Sequence, residues 1–213
     1  MQINGKVSAL LSCSIVVASL AFGGIAANAA PSTTDAAQSV TSTQTNSSCV
    51  AAITAAQLDG TTGLSTSVCT STVTLTTTAA RAITTDQLAG AKQSLSSPDY
   101  QSLVAATAAG TVKGKGYAQV FNNLTDRETQ SGYMYWDGAR VWVTQSYRGY
   151  QGNHQCLVSY AIGYTVENKA CSDTGSTTRR TLTAQWLLTV VATPISWTEV
   201  RTMYATSSGA ISQ

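Results

Sequence analysis

The sequence predicts a mainly β protein, an antiparallel β-sandwich or open barrel preceded by a small, helix-containing, disulfide-stapled N-terminal region. Strand-like runs rich in Val, Thr, Tyr and Trp recur from Tyr117 onward, divided by Gly, Asn and Asp turns. Charged residues make up only 10% of the chain, so Thr, Ser, Gln and Asn must cover its surface, which suits exposed β-structure better than a helical bundle. Four of the five cysteines lie beyond residue 29, an even count that reads as two disulfides in an exported chain.

Residues 1–29 read as a secretory signal peptide, because Lys6 precedes an apolar run from Val7 to Phe22 and small residues end in Ala27-Asn28-Ala29. Ser12, Cys13, Ser14 and Ser19 interrupt the run, which falls short of the roughly 18 apolar residues of a spanning helix, so no transmembrane anchor is expected. Leu10-Leu11-Ser12-Cys13 has the form of a lipoprotein cleavage box, but most of the apolar stretch follows the cysteine instead of preceding it. The expected destination is secreted and extracellular. Loss of the signal removes Lys6 and no acid, leaving 11 basic and 10 acidic residues. That balance gives no electrostatic reason to expect nucleic acid as a partner.

Residues 30–48 are Ser, Thr and Ala with few large apolar side chains, the composition of a disordered leader. Asn46 and Asn123 each begin a glycosylation acceptor pattern, which matters only in a host that glycosylates exported proteins. Residues 49–112 are expected to form a small α+β region. Val50, Ile53 and Leu58 fall near one helical face, with Ser47 or Ser48 as cap and Gly60 as stop. Thr70 to Thr76 alternates with Cys69, Ser71, Val73 and Leu75 as a strand with one wet face. Short helices are expected to open at Thr85-Asp86 and at Ser97-Pro98-Asp99. The weak core and separate disulfide of this region would suit a pro-region removed after export.

Residues 113–207 are expected to form the antiparallel β domain, with residues 208–213 as a flexible tail. The runs are YAQVFNN, SGYMYW, ARVWVTQS, CLVSYAIGYTVEN, TLTAQWLLTVVA and WTEVRTMYATS. Cys49–Cys69 and Cys156–Cys171 are the favoured disulfides, since each pair brackets one local segment. No C-x2-C spacing offers a zinc site, and a single histidine excludes a His-rich one, so no metal or other cofactor is expected.

Asp137-Gly138 predicts a two-residue hairpin turn pairing Trp136 with Ala139 and Tyr135 with Arg140. Alternation then sends Met134, Trp136, Ala139, Val141 and Val143 to the core, and Tyr133, Tyr135, Arg140, Trp142 and Thr144 to the other face. Flat rings with polar edges can stack on sugars or anchor a protein. The candidate contact set is therefore Tyr133, Tyr135, Arg140 and Trp142 together with Tyr147, Arg148 and Tyr150 of the following loop; the alternative is that a second layer covers it.

The chemistry-bearing residues are few. His154 is the sole histidine and so the obligatory base of any Ser-His or Cys-His mechanism, yet no G-x-S-x-G elbow accompanies it. A carboxylate pair for glycoside hydrolysis would come from Asp137, Glu167 and Glu199, each of which has an ordinary turn, strand-end or ion-pair role available. The leading expectation is a secreted, non-catalytic module binding an extracellular or cell-surface ligand, glycan or protein. An envelope, toxin-like or inhibitor-like interaction component comes second, and a hydrolase using His154 or a carboxylate pair third.

Overall fold

The computed structural model describes residues 34–83, 88, 92–93, 96–108 and 111–213. The expected signal peptide, residues 1–29, and the cysteine box at Cys13 lie outside the described residues, as do Thr85 and Asp86, where a helix was expected to open. Among the described residues no helix is long and apolar enough to cross a membrane.

Two antiparallel sheets face each other. The larger is built from β1 (Gln38–Thr45), β2 (Thr70–Thr77), β3 (Arg81–Ala82), β4 (Lys113–Asn122), β5 (Asp126–Trp136), β6 (Val141–Trp142) and β9 (Asn153–Ala161). Its order is β1-β2-β4-β5-β6, with β3 on β4 and β9 on β5. The smaller sheet runs in the order β10 (Tyr164–Gly175), β11 (Arg179–Val190), β12 (Ser196–Thr206) and β13 (Ile211–Ser212). β7 (Ser146–Tyr147) and β8 (Tyr150–Gln151) make a separate ribbon.

Alternation along each strand supplies the core. Val73 and Phe121 of the larger sheet meet Ala184, Trp186, Leu188 and Trp197 of the smaller one. Leu75, Met134 and Trp136 likewise meet Leu182, Met203 and Ala205. The inward positions Asp126, Glu128 and Gln130 on β5, and Glu199 and Arg201 on β12, are buried as well, so one end of the interior is polar.

The residues expected as a disordered leader instead contain β1, which pairs along its whole length with β2. Thr41 and Thr45 hydrogen-bond through their hydroxyls to Thr74 and Thr70 (3.2 and 3.0 Å). A composition poor in apolar mass can still order when an existing strand offers a ladder, because the backbone bonds and β-branched cross-strand pairs are then available at once. The boundary at residue 112 does not separate two cores: β2 lies between β1 and β4 and contributes Val73 and Leu75 to the shared core, so this strand of the 49–112 region is part of the sandwich. The expected flexible tail also corrects. Ile211 is buried in the core, and Gln213 bonds to Gln119 and Ser42.

Helix α1 (Ser47–Leu58) is capped by Asn46, not by Ser47 or Ser48, through a bond from Cys49 N–H to Asn46 Oδ1 (3.1 Å). Its Ile53 is buried and Val50 partly so, while Leu58 projects into solvent. Helix α2 (Ser97–Ala108) buries Leu103.

The two disulfides are Cys49–Cys69 and Cys156–Cys171, as the spacing predicts. The second has a role that the sequence concealed. The run 156–168, expected as one strand, is two: Gly163 with φ +80° turns the chain, so β9 ladders with β5 while β10 ladders with β11. Cys156–Cys171 therefore joins the two sheets.

At the hairpin the turn differs from expectation. Trp136 pairs with Val141 and Tyr135 with Trp142 across a four-residue loop, in which Asp137 Oδ1 accepts from the Ala139 and Arg140 amides (3.0 and 2.7 Å). Only Gly138 of the Asp-Gly pair has positive φ, whereas a type I′ turn requires it at both positions. The pair that meets that requirement is Arg148-Gly149 (φ 51° and 77°), between the paired Tyr147 and Tyr150. The two-residue slip at Asp137 preserves parity, so the inward assignment of Met134, Trp136, Val141 and Val143 holds.

Candidate functional site

The outer face of the larger sheet is floored by small and hydroxyl-bearing residues. Register places Thr72, Thr74 and Thr76 of β2 beside Asn122, Val120 and Ala118 of β4. These in turn lie beside Arg127, Thr129 and Ser131 of β5. Three depressions follow this face. One of about 340 Å³ is lined by Thr70, Thr72, Asn122 and Leu124. The next, about 290 Å³, shares Thr72 and Asn122 with it and adds Thr74, Val120 and Arg127. The largest, about 510 Å³, continues over Thr76, Gly116, Ala118 and Ser131 to Tyr133 and Asn153.

Tyr133 stands at the end of this trough, half-buried, its ring centroid 5.0 Å from that of Tyr135, which packs in turn against the Trp142 and Tyr150 rings. Tyr133 and Tyr135 fit because Gly114 lies beneath them: a Cβ there would be 2.6 Å from Tyr133 Cε1 and 2.9 Å from Tyr135 Cδ1.

The remaining predicted contact residues divide. Trp142 and Tyr150 are buried against Ile83, Leu103 and Val112, and the Trp142 indole N–H donates to the Tyr150 carbonyl (3.0 Å). These two belong to a small core under α2, so they are corrected from contact residues to packing residues. Arg140 is exposed, and its guanidinium lies 4.7 Å from the Tyr147 ring centroid, with that of Arg148 at 5.3 Å. Arg148 also pairs with Asp137 (3.2 Å). Tyr147 and Arg148 line a different cavity, of about 370 Å³, together with Asp99 and Ser102 of α2. The seven-residue set is thus divided: Tyr133 in the trough, Tyr135, Trp142 and Tyr150 in a packed cluster, and Arg140 exposed beside the half-buried Tyr147 and Arg148.

His154 points inward opposite Gly132. Its Nδ1 lies 3.0 Å from the Tyr117 hydroxyl, and its Nε2 3.7 Å from the disulfide-bonded Cys156 Sγ. Burial pulls the imidazole below its ordinary range, opposed by the charge of Asp173. A phenol whose own pKa burial raises and a disulfide sulfur are not nucleophiles that this base could activate. Of the three expected carboxylates, Asp137 serves the loop and Glu167 pairs with Lys169 in solvent (2.7 Å).

Glu199 does belong to a carboxylate group, though with partners the sequence reading missed. Ligand oxygens of Asp126, Glu128 and Glu199 all lie within 4.8 Å of one another, and all three residues are buried. Arg201 donates through Nε (2.8 Å) and Nη2 to Glu199 Oε1 and through Nη1 to Gln44 (2.5 Å), with its guanidinium 4.8 Å from the Phe121 centroid. Glu128 Oε1 is buried without a hydrogen-bond partner, as are Gln130 Oε1 and Trp186 Nε1. The signal was present in the sequence: counting back by twos from Trp136 and Met134 puts Gln130, Glu128 and Asp126 on the core face.

Burial, reinforced by the neighbouring Asp126 carboxylate, pushes Glu128 up to about 9 from its ordinary 4.5. Glu199 is also raised by burial, against the pull of Arg201. A carboxyl raised in the fold contributes stability that is complete below about pH 4.5 and is lost as pH climbs toward 9. His154 acts in the opposite sense, but only below its ordinary value of 6.5. The metal-free protein is therefore expected to melt at progressively lower temperature from about pH 7 to about pH 9, as read by circular dichroism in a chelating buffer. A flat profile over that interval would mean that Glu128 ionises in the fold without penalty.

No protein-family model matches this chain, and neither a curated protein nor a solved structure matches it.

Proposed function

We propose that the chain is a secreted, non-catalytic binding module for an extended extracellular or cell-surface polysaccharide, held along the outer face of the larger sheet. The observation that carries this reading is the run of depressions from Asn122 to Tyr133, uncharged apart from Arg127 and carrying Thr and Ser hydroxyls within a mostly apolar lining. Such a floor matches a polymer whose recognition groups are hydroxyls, and Tyr133 supplies a ring for stacking at one end. Arg140, Tyr147 and Arg148 lie outside the trough; this partly exposed aromatic and Arg group supports the second reading, a protein-interaction component, because aromatic and Arg side chains dominate protein hot spots.

Retention of the mature protein on cell-wall and exopolysaccharide preparations tests the proposal. Tyr133→Ala is expected to weaken retention about tenfold, the upper part of the roughly 0.5–1.5 kcal/mol of an aromatic stack, with Arg148→Ala unchanged. Absence of retention on every glycan preparation, or loss only in the Arg148 variant, would sink the glycan reading.

A further inference from the structure

We propose that Asp126, Glu128 and Glu199 form a binding site for a hard divalent cation of the calcium class, held between the two sheets. The site is separate from the trough, since these side chains occupy the inner face of the larger sheet and the facing row of the smaller one.

Three observations carry it. The first is reach. Two oxygens on one calcium ion, each at about 2.3–2.6 Å, are separated by no more than about 4.6–5.2 Å, and the three carboxylates lie within 4.8 Å of one another. The donor set is all oxygen, which selects a hard cation over zinc; the nearby His154, Cys156 and Cys171 do not supply thiolates, because both cysteines are in the disulfide.

The second is charge. The charged groups acting on Glu128 are Asp126, Glu199 and Arg201, so three carboxylates face one guanidinium and the ionised cluster carries −2. A divalent cation brings it to neutrality. Buried charge persists only when paired or coordinated, and Arg201 directs its donors to Glu199 and Gln44 and none to Glu128.

The third is an acceptor without a donor. Glu128 is 1% exposed and, apart from the hydrogen bond its carboxyl shares with Asp126, its Oε1 meets no donor; Gln130, two residues along the same inward row, has a second orphaned acceptor oxygen. Buried acceptors of this kind call for an ion or a donor, and a cation satisfies oxygens that no N–H reaches. Asp126 is the first residue of β5, next to the Asn123–Thr125 loop, so the site lies toward one end of the sandwich. Extracellular modules bind calcium with dissociation constants of about 10⁻⁴–10⁻³ M, matched to the free calcium outside cells.

The test uses the mature protein stripped with chelator and read by thermal melting and calorimetry. Calcium is expected to bind one per chain and, at about 100 times its dissociation constant, to raise the melting temperature by about 5 °C or more. Magnesium, which dehydrates reluctantly, is expected to do less. Glu128→Gln is expected to fold and to lose the calcium response, because it keeps the shape and removes the charge. Terbium gives a check independent of any variant: Trp186, the cross-strand partner of Glu199, is placed to sensitise its emission, which excess calcium then quenches. No calcium-dependent shift up to about 10 mM near pH 7.5, an undiminished shift in Glu128→Gln, or terbium emission that calcium does not displace would each overturn the proposal. The first of these outcomes would leave protons as what neutralises the cluster.

Discussion

Arg201→Ala is expected to cost about 3–5 kcal/mol of folding stability, the range for removing one partner of a buried ion pair. The Arg201 side chain is 10% exposed and that of Glu199 5%, so solvent screens the pair little. Without the guanidinium, three carboxyl groups share the end of the sandwich without the cation that pairs with Glu199, and Gln44 loses its bond across the sheets. Packing on the Phe121 ring is lost as well. Denaturant unfolding measures the cost, and Arg201→Met combined with Glu199→Gln supplies the control. If the damage comes from an uncompensated charge, the double variant recovers much of the loss. A single-variant loss below about 1 kcal/mol would show that the pair behaves as a surface salt bridge.

Gly132→Ala is expected to be comparably damaging for a purely steric reason. A Cβ at Gly132 would lie 1.9 Å from the Asn153 carbonyl oxygen and 2.6 Å from the Tyr117 hydroxyl. The first obstacle is backbone, so β9 must move off β5. Overpacking costs about 1–3 kcal/mol where side chains can yield and more where backbone must, so about 3 kcal/mol or more is expected. Gly116→Ala is the comparison, because its nearest neighbour is a Thr78 methyl at 3.4 Å. Melting temperatures separate the two, and hydrogen exchange of the β9 amides locates the damage. Equal stability of both variants would mean that β9 tolerates displacement.

Much of the fold was legible because strands write their faces into alternate residues. Met134, Trp136, Val141 and Val143 were assigned to the core by parity, and parity survived an error in turn register because the slip was two residues. The disulfides were legible because each brackets a short segment. What could not be read depended on distant partners. Strand β1 lacks apolar mass and orders on β2, a neighbour that composition does not reveal. Trp142 and Tyr150 carry polar handles that suited a contact face, yet α2 and the segment before β4 cover them.

The carboxylate site shows a different limit. Asp126, Glu128 and Gln130 occupy positions where alternation calls for apolar side chains, and a polar residue in a core position is the kind of local inconsistency that marks function. Being polar, they carry no apolar alternation of their own, and only a count extended from Trp136 and Met134 reaches them. Glu199 was named, but its partners lie about 70 residues earlier in the sequence, on the facing sheet.

The chain's passage from β9 through Gly163 to β10 bears on how the molecule comes apart. One long seam of the sandwich is shut by Cys156–Cys171 and by a bond from Asn168 to the Cys156 carbonyl. The opposite seam is held by Gln44 with Arg201, Ser42 with Gln213, and Asn46 and Ser48 on the Thr198 carbonyl, with no covalent link among them. The protein is bound like a book: under strain the pages are expected to part along the fore-edge at β1, while a reducing agent loosens the spine, which the chain itself still joins at Gly163.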